Sequence, residues 1–151
     1  MLSFYDSRNL AQKLEIPLAR FKRWSREFLP PDNLGGYQSG YARQYNLNEA
    51  FTVYLGGFLV HDAKLLVPQA RNVLRATQKY LPNLYADIKA ENLQELKLAV
   101  VLDKRGDVLC KMQNGARILA EDQAFEENVK DFVRLVLVGR LLIRFVENLN
   151  A

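Results

Sequence analysis

The residues of this chain whose chemistry suggests a ligand are cationic, and most of them lie in its front half. The chain carries 21 Lys+Arg against 17 Asp+Glu, a formal charge of +4. Residues 1–80 hold 11 basic and 6 acidic side chains, whereas residues 81–151 hold 10 and 11. Clustered cations without balancing acids bind polyanions, so we expect a nucleic acid as partner. The densest cluster comprises Arg8, Lys13, Arg20, Lys22, Arg23 and Arg26.

Other kinds of chemistry lack the residues that they need. The chain has one cysteine, Cys110, and one histidine, His61, so neither a disulfide framework nor a Cys/His zinc site is expected. No carboxylate pair, catalytic triad or phosphate loop emerges from the residue spacing. We therefore expect no enzymatic activity, no catalytic residue, no cofactor and no metal. Cys110 alternates with apolar neighbours and is predicted to be a small buried residue.

The basic cluster falls on two predicted helices joined by a tight link. Asp6 or Ser7 can cap a first helix that runs to about Leu14. Pro17 is tolerated in the first turn of a second helix, which Pro30 ends. The apolar positions of the second helix recur at three- and four-residue steps, so one face is expected to pack and the other to be cationic. The apolar positions are Leu18, Phe21, Trp24 or Ser25, and Phe28, and the cationic ones are Arg20, Lys22, Arg23 and Arg26.

A glycine-rich hairpin and two further helices complete the front half. Residues 32–40 read DNLGGYQSG and are followed by YARQY, which together predict a hairpin. Asn46 and Glu49 predict a capping box for a third helix, and residues 67–81 predict a fourth. Pro82 marks a boundary, so residues 1–82 are predicted to form one domain.

Beyond Pro82 the hydrophobic period changes from helical to alternating. Three strands are predicted over residues 96–102, 108–113 and 116–119, with a type I′ turn at Asn114-Gly115. A long helix is predicted over residues 124–148. Its apolar surface is too wide to be buried on one side only. Residues 83–151 are therefore expected to be a dimerisation or regulatory domain in an α+β protein. The face expected to meet a second copy comprises Val133, Val136, Leu137, Leu141 and Phe145.

Two short helices with a cationic second helix and a glycine-rich hairpin are typical of a winged helix-turn-helix. Residues 2–80 resemble the MerR-type DNA-binding domain in the segments 11–16, 21–27, 29–31 and 40–45. In the turn between the helices the family has a glycine where this chain has Glu15, and the part after residue 82 is atypical. The resemblance implies that Trp24 is structural, that the basic residues before it contact DNA, and that Tyr41 and Arg43 hold phosphates.

Together these observations predict a dimeric, sequence-specific protein that binds double-stranded DNA, most simply a MerR-like transcriptional regulator. A DNA-bridging or recombination accessory protein and a protein-interaction adaptor are the alternatives, and the sequence leaves a small-molecule effector open. The sequence has no apolar run of 18 residues and no signal pattern, so we expect a cytoplasmic protein with no membrane partner. If the resemblance holds, we expect this protein at the bacterial nucleoid. The predicted DNA-binding residues are Arg20, Lys22, Arg23, Arg26, Tyr37, Tyr41 and Arg43.

Overall fold

Helices and antiparallel strands combine in this chain as an α+β architecture, which confirms the predicted fold class. A computed structural model describes residues 4–31, 43–78, 91–129 and 133–151. The elements are β1 (Tyr5–Asp6), α1 (Ser7–Lys13), α2 (Leu18–Phe28), β2 (Gln44–Tyr45), α3 (Leu47–His61), α4 (Val67–Gln78), a 3₁₀ turn (Glu91–Glu95), β3 (Leu96–Leu102), β4 (Val108–Asn114), β5 (Arg117–Glu121), α5 (Phe125–Asn128), β6 (Arg134–Val136) and α6 (Val138–Asn150).

The helices of the front half begin where the local signals predict. The Asp6 carboxylate caps α1 by accepting a hydrogen bond from the Asn9 backbone N–H at 2.7 Å. Pro17 is the N-cap of α2. In the predicted capping box of α3, the Glu49 N–H donates to the Asn46 side chain at 2.8 Å, and the Asn46 N–H donates to the Glu49 carboxylate at 3.0 Å. Side-chain hydrogen bonds therefore cap α1 and α3, whereas α2 begins at a proline without a side-chain cap.

Helices α2 and α3 cross closely because α3 has two adjacent glycines at the crossing. A Cβ atom on Gly57 would overlap the Trp24 ring, and one on Gly56 would lie 2.5 Å from Cδ2 of Phe28. Trp24 is buried at 8% exposure, which confirms its predicted place in the core. The missing Cβ atoms thus let two aromatic rings of α2 rest on the backbone of α3.

The predicted meander is present and gains a fourth strand. Strands β3, β4 and β5 follow one another antiparallel, and the sheet order is β5-β4-β3-β6. Asn114 pairs with Arg117, so Gly115-Ala116 forms the turn between β4 and β5, and Gly115 has a φ of +60°. A glycine with positive φ at the first central position is typical of a type II′ turn. The predicted type I′ turn at Asn114-Gly115 is therefore wrong by one residue.

The predicted long helix over residues 124–148 is wrong. The segment forms the four-residue helix α5, the strand β6 and the 13-residue helix α6. Strand β6 pairs antiparallel with β3, and Leu98 lies opposite Val136. The run from Val133 to Val138 is rich in valine and leucine, which suits a strand as well as a helix, and the free edge of β3 satisfies its backbone. A long-range pairing thus overrides the helical period.

The predicted dimer face of this segment belongs largely to the core of a single chain. Val136, Leu141 and Phe145 are all buried, and the ring of Phe145 lies 5.2 Å from that of Phe51, centroid to centroid. Val133 and Leu137 are half-buried. The expectation of an open apolar face here is wrong because α6 packs onto β3, α1 and α3. One hydrophobic core therefore runs through residues from both predicted domains.

Candidate nucleic-acid interface

The helix α2 has a buried face and an opposite cationic face. Phe21, Trp24 and Ser25 are buried, whereas Lys22, Arg23 and Arg26 are exposed. With 3.6 residues per turn, the three exposed cations span an arc of about 100° on the side away from the core. The predicted division of α2 into a packing face and a cationic face is thus present in the structure, and we call Lys22, Arg23 and Arg26 the cationic face.

No acidic residue in the described part of the chain forms an ion pair with the cationic face. Across the described ranges, no ion pair involves Lys22, Arg23 or Arg26. Arginine stays charged at any physiological pH, and its planar fork of donors matches phosphate oxygens and guanine edges. Exposed side chains with this chemistry on one helical face can engage an anionic ligand without first breaking an internal contact.

A cleft of about 500 Å³ lies beside the cationic face. Its walls come from the start of α1, from α2 and from β2, so residues distant in sequence meet there. Four of its lining residues are basic and only Asp6 is acidic. The carboxylate of Asp6 already accepts a hydrogen bond from the backbone of α1. The cleft therefore extends the positive surface of α2 towards α1 and β2, and its basic residues are Arg8, Lys22, Arg26 and Arg43.

Strand β2 is fastened to α2 by a polar and aromatic contact in the core. The Tyr45 hydroxyl lies 2.7 Å from the Ser25 hydroxyl, and both residues are buried. The Tyr45 ring meets Phe21 edge-on at 5.5 Å between centroids. Strand β2 also pairs antiparallel with β1, with Tyr5 opposite Tyr45. These contacts place the chain that follows residue 42 against the side of α2.

Arg43 has intramolecular partners in addition to its place in the cleft. Its guanidinium donates to the Pro30 carbonyl at 2.9 Å, lies 3.9 Å from the Glu49 carboxylate and lies 5.5 Å from the centre of the Tyr45 ring. Its side chain is 20% exposed. Arg43 thus ties the end of α2 to the start of α3, a positioning role that its predicted phosphate contact did not include.

The other flank of α2 meets α4. The Arg71 guanidinium donates to the Glu27 carboxylate at 2.8 Å and to the Glu27 carbonyl at 2.7 Å. This pair neutralises the acid closest to the cationic face on α2. Arg20, a predicted contact residue, lies on this flank, is half-buried and does not line the cleft. Arg20 is therefore less exposed than the three cations, although it lies one turn before Arg23 on α2.

Two residues of the basic cluster lie at positions that the sequence does not predict. Arg8 is exposed and lines the cleft, although the sequence places it only in the charge cluster. Lys13 instead donates to the Leu149 carbonyl at 3.0 Å, near the end of α6. Their positions depend on how α1 packs, which residue spacing does not reveal. The predicted contacts Tyr37 and Tyr41 lie outside the described residues, as does most of the predicted hairpin.

Metal and thiol chemistry receive no support from the described part of the chain. No group of three or more His, Cys, Asp or Glu residues in those ranges is arranged to hold a metal ion. Cys110 is buried, as predicted, and burial followed by the nearby charge of Asp122 raises the pKa of its thiol to about 12. A thiol with such a pKa stays protonated at neutral pH and is a poor nucleophile.

Comparison with known proteins does not assign the chain to a family. No family model matches the sequence, and no curated protein is significantly similar to it. In the ranges that the structure describes, none of the helices has both the length and the apolar character needed to cross a membrane.

Proposed function

We propose that this chain is a DNA-binding protein of the winged helix-turn-helix class, with α2 as the helix that enters the major groove. The observation that carries the proposal is the cationic face: Lys22, Arg23 and Arg26 are exposed together and have no ion pair in the described residues. A DNA duplex offers phosphates beside the groove and hydrogen-bond acceptors on guanine within it. The face has the charge and the donors that both require.

The geometry supports this class because α1 and α2 are short, packed and joined by residues 14–17. In such units the second helix lies in the groove while the first crosses the backbone. Arg8 at the start of α1 and Arg43 before β2 border the same cleft as Lys22 and Arg26. We assign Arg23 and Arg26 to base edges or phosphates in the groove, and Arg8 to a flanking phosphate.

Within this class, the chain is best described as a sequence-specific regulator of transcription similar to MerR-type proteins. The support is the order of its elements: two helices, a segment leading into β2, and then α3 and α4. The buried aromatic Trp24 among exposed cations fits the structural role that the resemblance implies for it.

Charge reversal on the cationic face tests the proposal. Arg23→Glu should weaken binding to a duplex about tenfold or more, because a contact is lost and a repulsion gained. The milder Arg23→Gln should lower the slope of log affinity against log salt by about 0.9 on double-stranded DNA. Affinities are measured by fluorescence anisotropy on duplexes selected from a random library at near-physiological salt.

Arg140→Glu is the matched control, since Arg140 is also an exposed helical arginine but lies on α6. It changes the net charge by the same amount and should leave the affinity within about twofold of wild type. Equal weakening by the two reversals would show that only net charge matters. An Arg23→Glu protein with native circular dichroism and unchanged affinity would refute the proposal.

A further inference from the structure

Helix α2 contains one acidic residue, Glu27, and Arg23 of the cationic face stands four residues before it. Side chains at this spacing are neighbours on the surface of a helix, and opposite charges there attract each other. An ion pair between Glu27 and Arg23 would neutralise one of the three exposed cations. In the structure this pair does not form, because the Glu27 carboxylate has a different partner.

That partner is Arg71 of α4, which holds Glu27 at two points. The Nη2 atom of Arg71 donates to the Glu27 carboxylate at 2.8 Å, and its Nε atom donates to the Glu27 backbone carbonyl at 2.7 Å. A rigid guanidinium bound to both the backbone and the side chain of one residue fixes the direction of that side chain. Arg23 consequently keeps its charge unpaired within the ranges that the structure describes.

The packing of α4 brings Arg71 to this position. Val73 and Leu74 of α4 are buried in the core, and Leu74 lines a cleft of about 310 Å³ together with Phe28 at the end of α2. Arg71 therefore reaches the last turn of α2, where backbone carbonyl groups have no partner within the helix. A cation is favourable there because the C-terminal end of a helix is negative.

The other acidic residues beside the basic surface are occupied locally. Asp6, which lines the cleft beside α2, accepts a hydrogen bond from the backbone of α1 at 2.7 Å. Glu49, which lies 3.9 Å from Arg43, accepts one from the backbone at the start of α3 at 3.0 Å. Both acids are thus held by the caps of their own helices. Glu27 differs, because its partner lies 44 residues away in the sequence.

We propose that Arg71 is a positioning residue for the cationic face: by binding Glu27, it prevents that carboxylate from pairing with Arg23. The inference rests on the proposed function, since it concerns the availability of Arg23 to DNA. It does not require that Arg71 touch the duplex. Without Arg71, the freed carboxylate pairs with Arg23 and also places an unneutralised negative charge near the phosphates.

Arg71→Gln tests this role by removing the charge that holds Glu27. Breaking an exposed ion pair at this helical spacing changes a binding equilibrium by about twofold, and repulsion between the carboxylate and the phosphates adds a factor of similar size. Arg71→Gln should therefore weaken binding to a duplex by about three- to sixfold. Affinities are measured by fluorescence anisotropy at near-physiological salt, on a duplex selected with the wild-type protein.

A second substitution, Glu27→Gln, separates this electrostatic effect from structural damage. The double variant Arg71→Gln/Glu27→Gln has the net charge of wild type and no carboxylate that could pair with Arg23. Its affinity should return to within about twofold of wild type, although the contact between α4 and α2 is still missing. Arg71→Lys keeps a positive charge beside Glu27 and should also bind within about twofold of wild type.

Arg75→Gln is the matched control for the loss of one positive charge. Arg75 is an exposed arginine one turn further along α4, and its guanidinium donates to the Asn72 side chain at 3.0 Å. Arg75→Gln lowers the net charge by the same amount as Arg71→Gln but leaves Glu27 bound. It should therefore change the affinity by less than about twofold.

Comparison with Arg23→Gln distinguishes failure of this inference from failure of the proposed function. If Arg23→Gln weakens binding and Arg71→Gln does not, the positioning role is refuted and the DNA-binding proposal stands. An Arg71→Gln loss that Glu27→Gln does not rescue, or that Arg75→Gln equals, would also overturn the positioning role. If Arg23→Gln leaves the affinity unchanged, the proposed function fails and this inference fails with it.

Discussion

The close crossing of α2 and α3 predicts that Gly57→Ala destabilises the protein, although alanine is the better helix former. A Cβ atom at Gly57 would overlap the Trp24 ring and lie 2.5 Å from its Cδ2 atom. Carbon atoms in ordinary contact are about 3.5–4.0 Å apart, so the helices must separate by about 1 Å or the indole must move. Trp24 is 8% exposed and belongs to the hydrophobic core, so a shift of its ring displaces close-packed neighbours.

The expected size of the effect follows from two opposing contributions. Overpacking a filled core costs about 1–3 kcal/mol, and an overlap this large belongs at the upper end of that range. Replacing a helical glycine by alanine returns about 1 kcal/mol. The net loss in the free energy of unfolding should be about 2 kcal/mol, or a fall in melting temperature of about 4–8 °C for a chain of this size.

Equilibrium unfolding in urea measures this loss, and a double-mutant cycle identifies its cause. In a Trp24→Ala background the Gly57→Ala cost should vanish, because the overlapping ring is gone. Gly56→Ala is the matched neighbour: it meets Phe28, which is only half-buried and can rotate away, so its cost should be smaller. If Gly57→Ala were as stable as wild type, or equally costly without the indole, the packing argument would fail.

Three further predictions concern stability and reactivity. Glu15 has a φ of +58°, so Glu15→Gly should stabilise the chain by about 0.5–1 kcal/mol in urea unfolding; a loss would contradict left-handed strain at this turn. A Cβ atom on Gly139 would overlap the Leu93 carbonyl, so Gly139→Ala should cost at least about 3 kcal/mol, and a native-like melting temperature would disprove that contact. The pKa of Cys110 rises on folding from 9.0 to about 12, so its contribution to stability is complete below pH 9.0 and is lost as the pH rises towards 12. Labelling of the native protein by a thiol reagent at pH 8 should therefore be slow, and Cys110→Ser should flatten the alkaline loss of stability.

The sequence predicts the front half well because its signals are local. Capping side chains sit within three residues of the groups they cap, and prolines act on their own helix, so Asp6, Asn46 and Pro17 mark helix starts without knowledge of the fold. The cationic face of α2 follows from the same local period. Lys22, Arg23 and Arg26 are exposed because their neighbours Phe21 and Trp24 are buried.

The wrong predictions concern residues whose conformation or contacts depend on a partner distant in the sequence. Residues 134–136 have a composition that suits helix or strand, and only the free edge of β3 selects the strand. The same applies to single side chains. Lys13 belongs to the basic cluster in the sequence but bonds the end of α6, and Arg43 bonds Pro30 and Glu49. Periodicity describes which face a residue takes and not which element covers that face.

The continuous core links the proposed DNA-binding face to the four-stranded sheet and α6. Phe145 on α6 packs against Phe51 on α3, and the Trp24 ring of α2 packs against Gly57 of α3. In the dimer that the sequence predicts, these packed elements would hold each α2 helix at a fixed position in its own copy. Pairing of the copies would then select DNA half-sites of one spacing, and two weakly bound half-sites on one duplex would bind far more tightly than either alone.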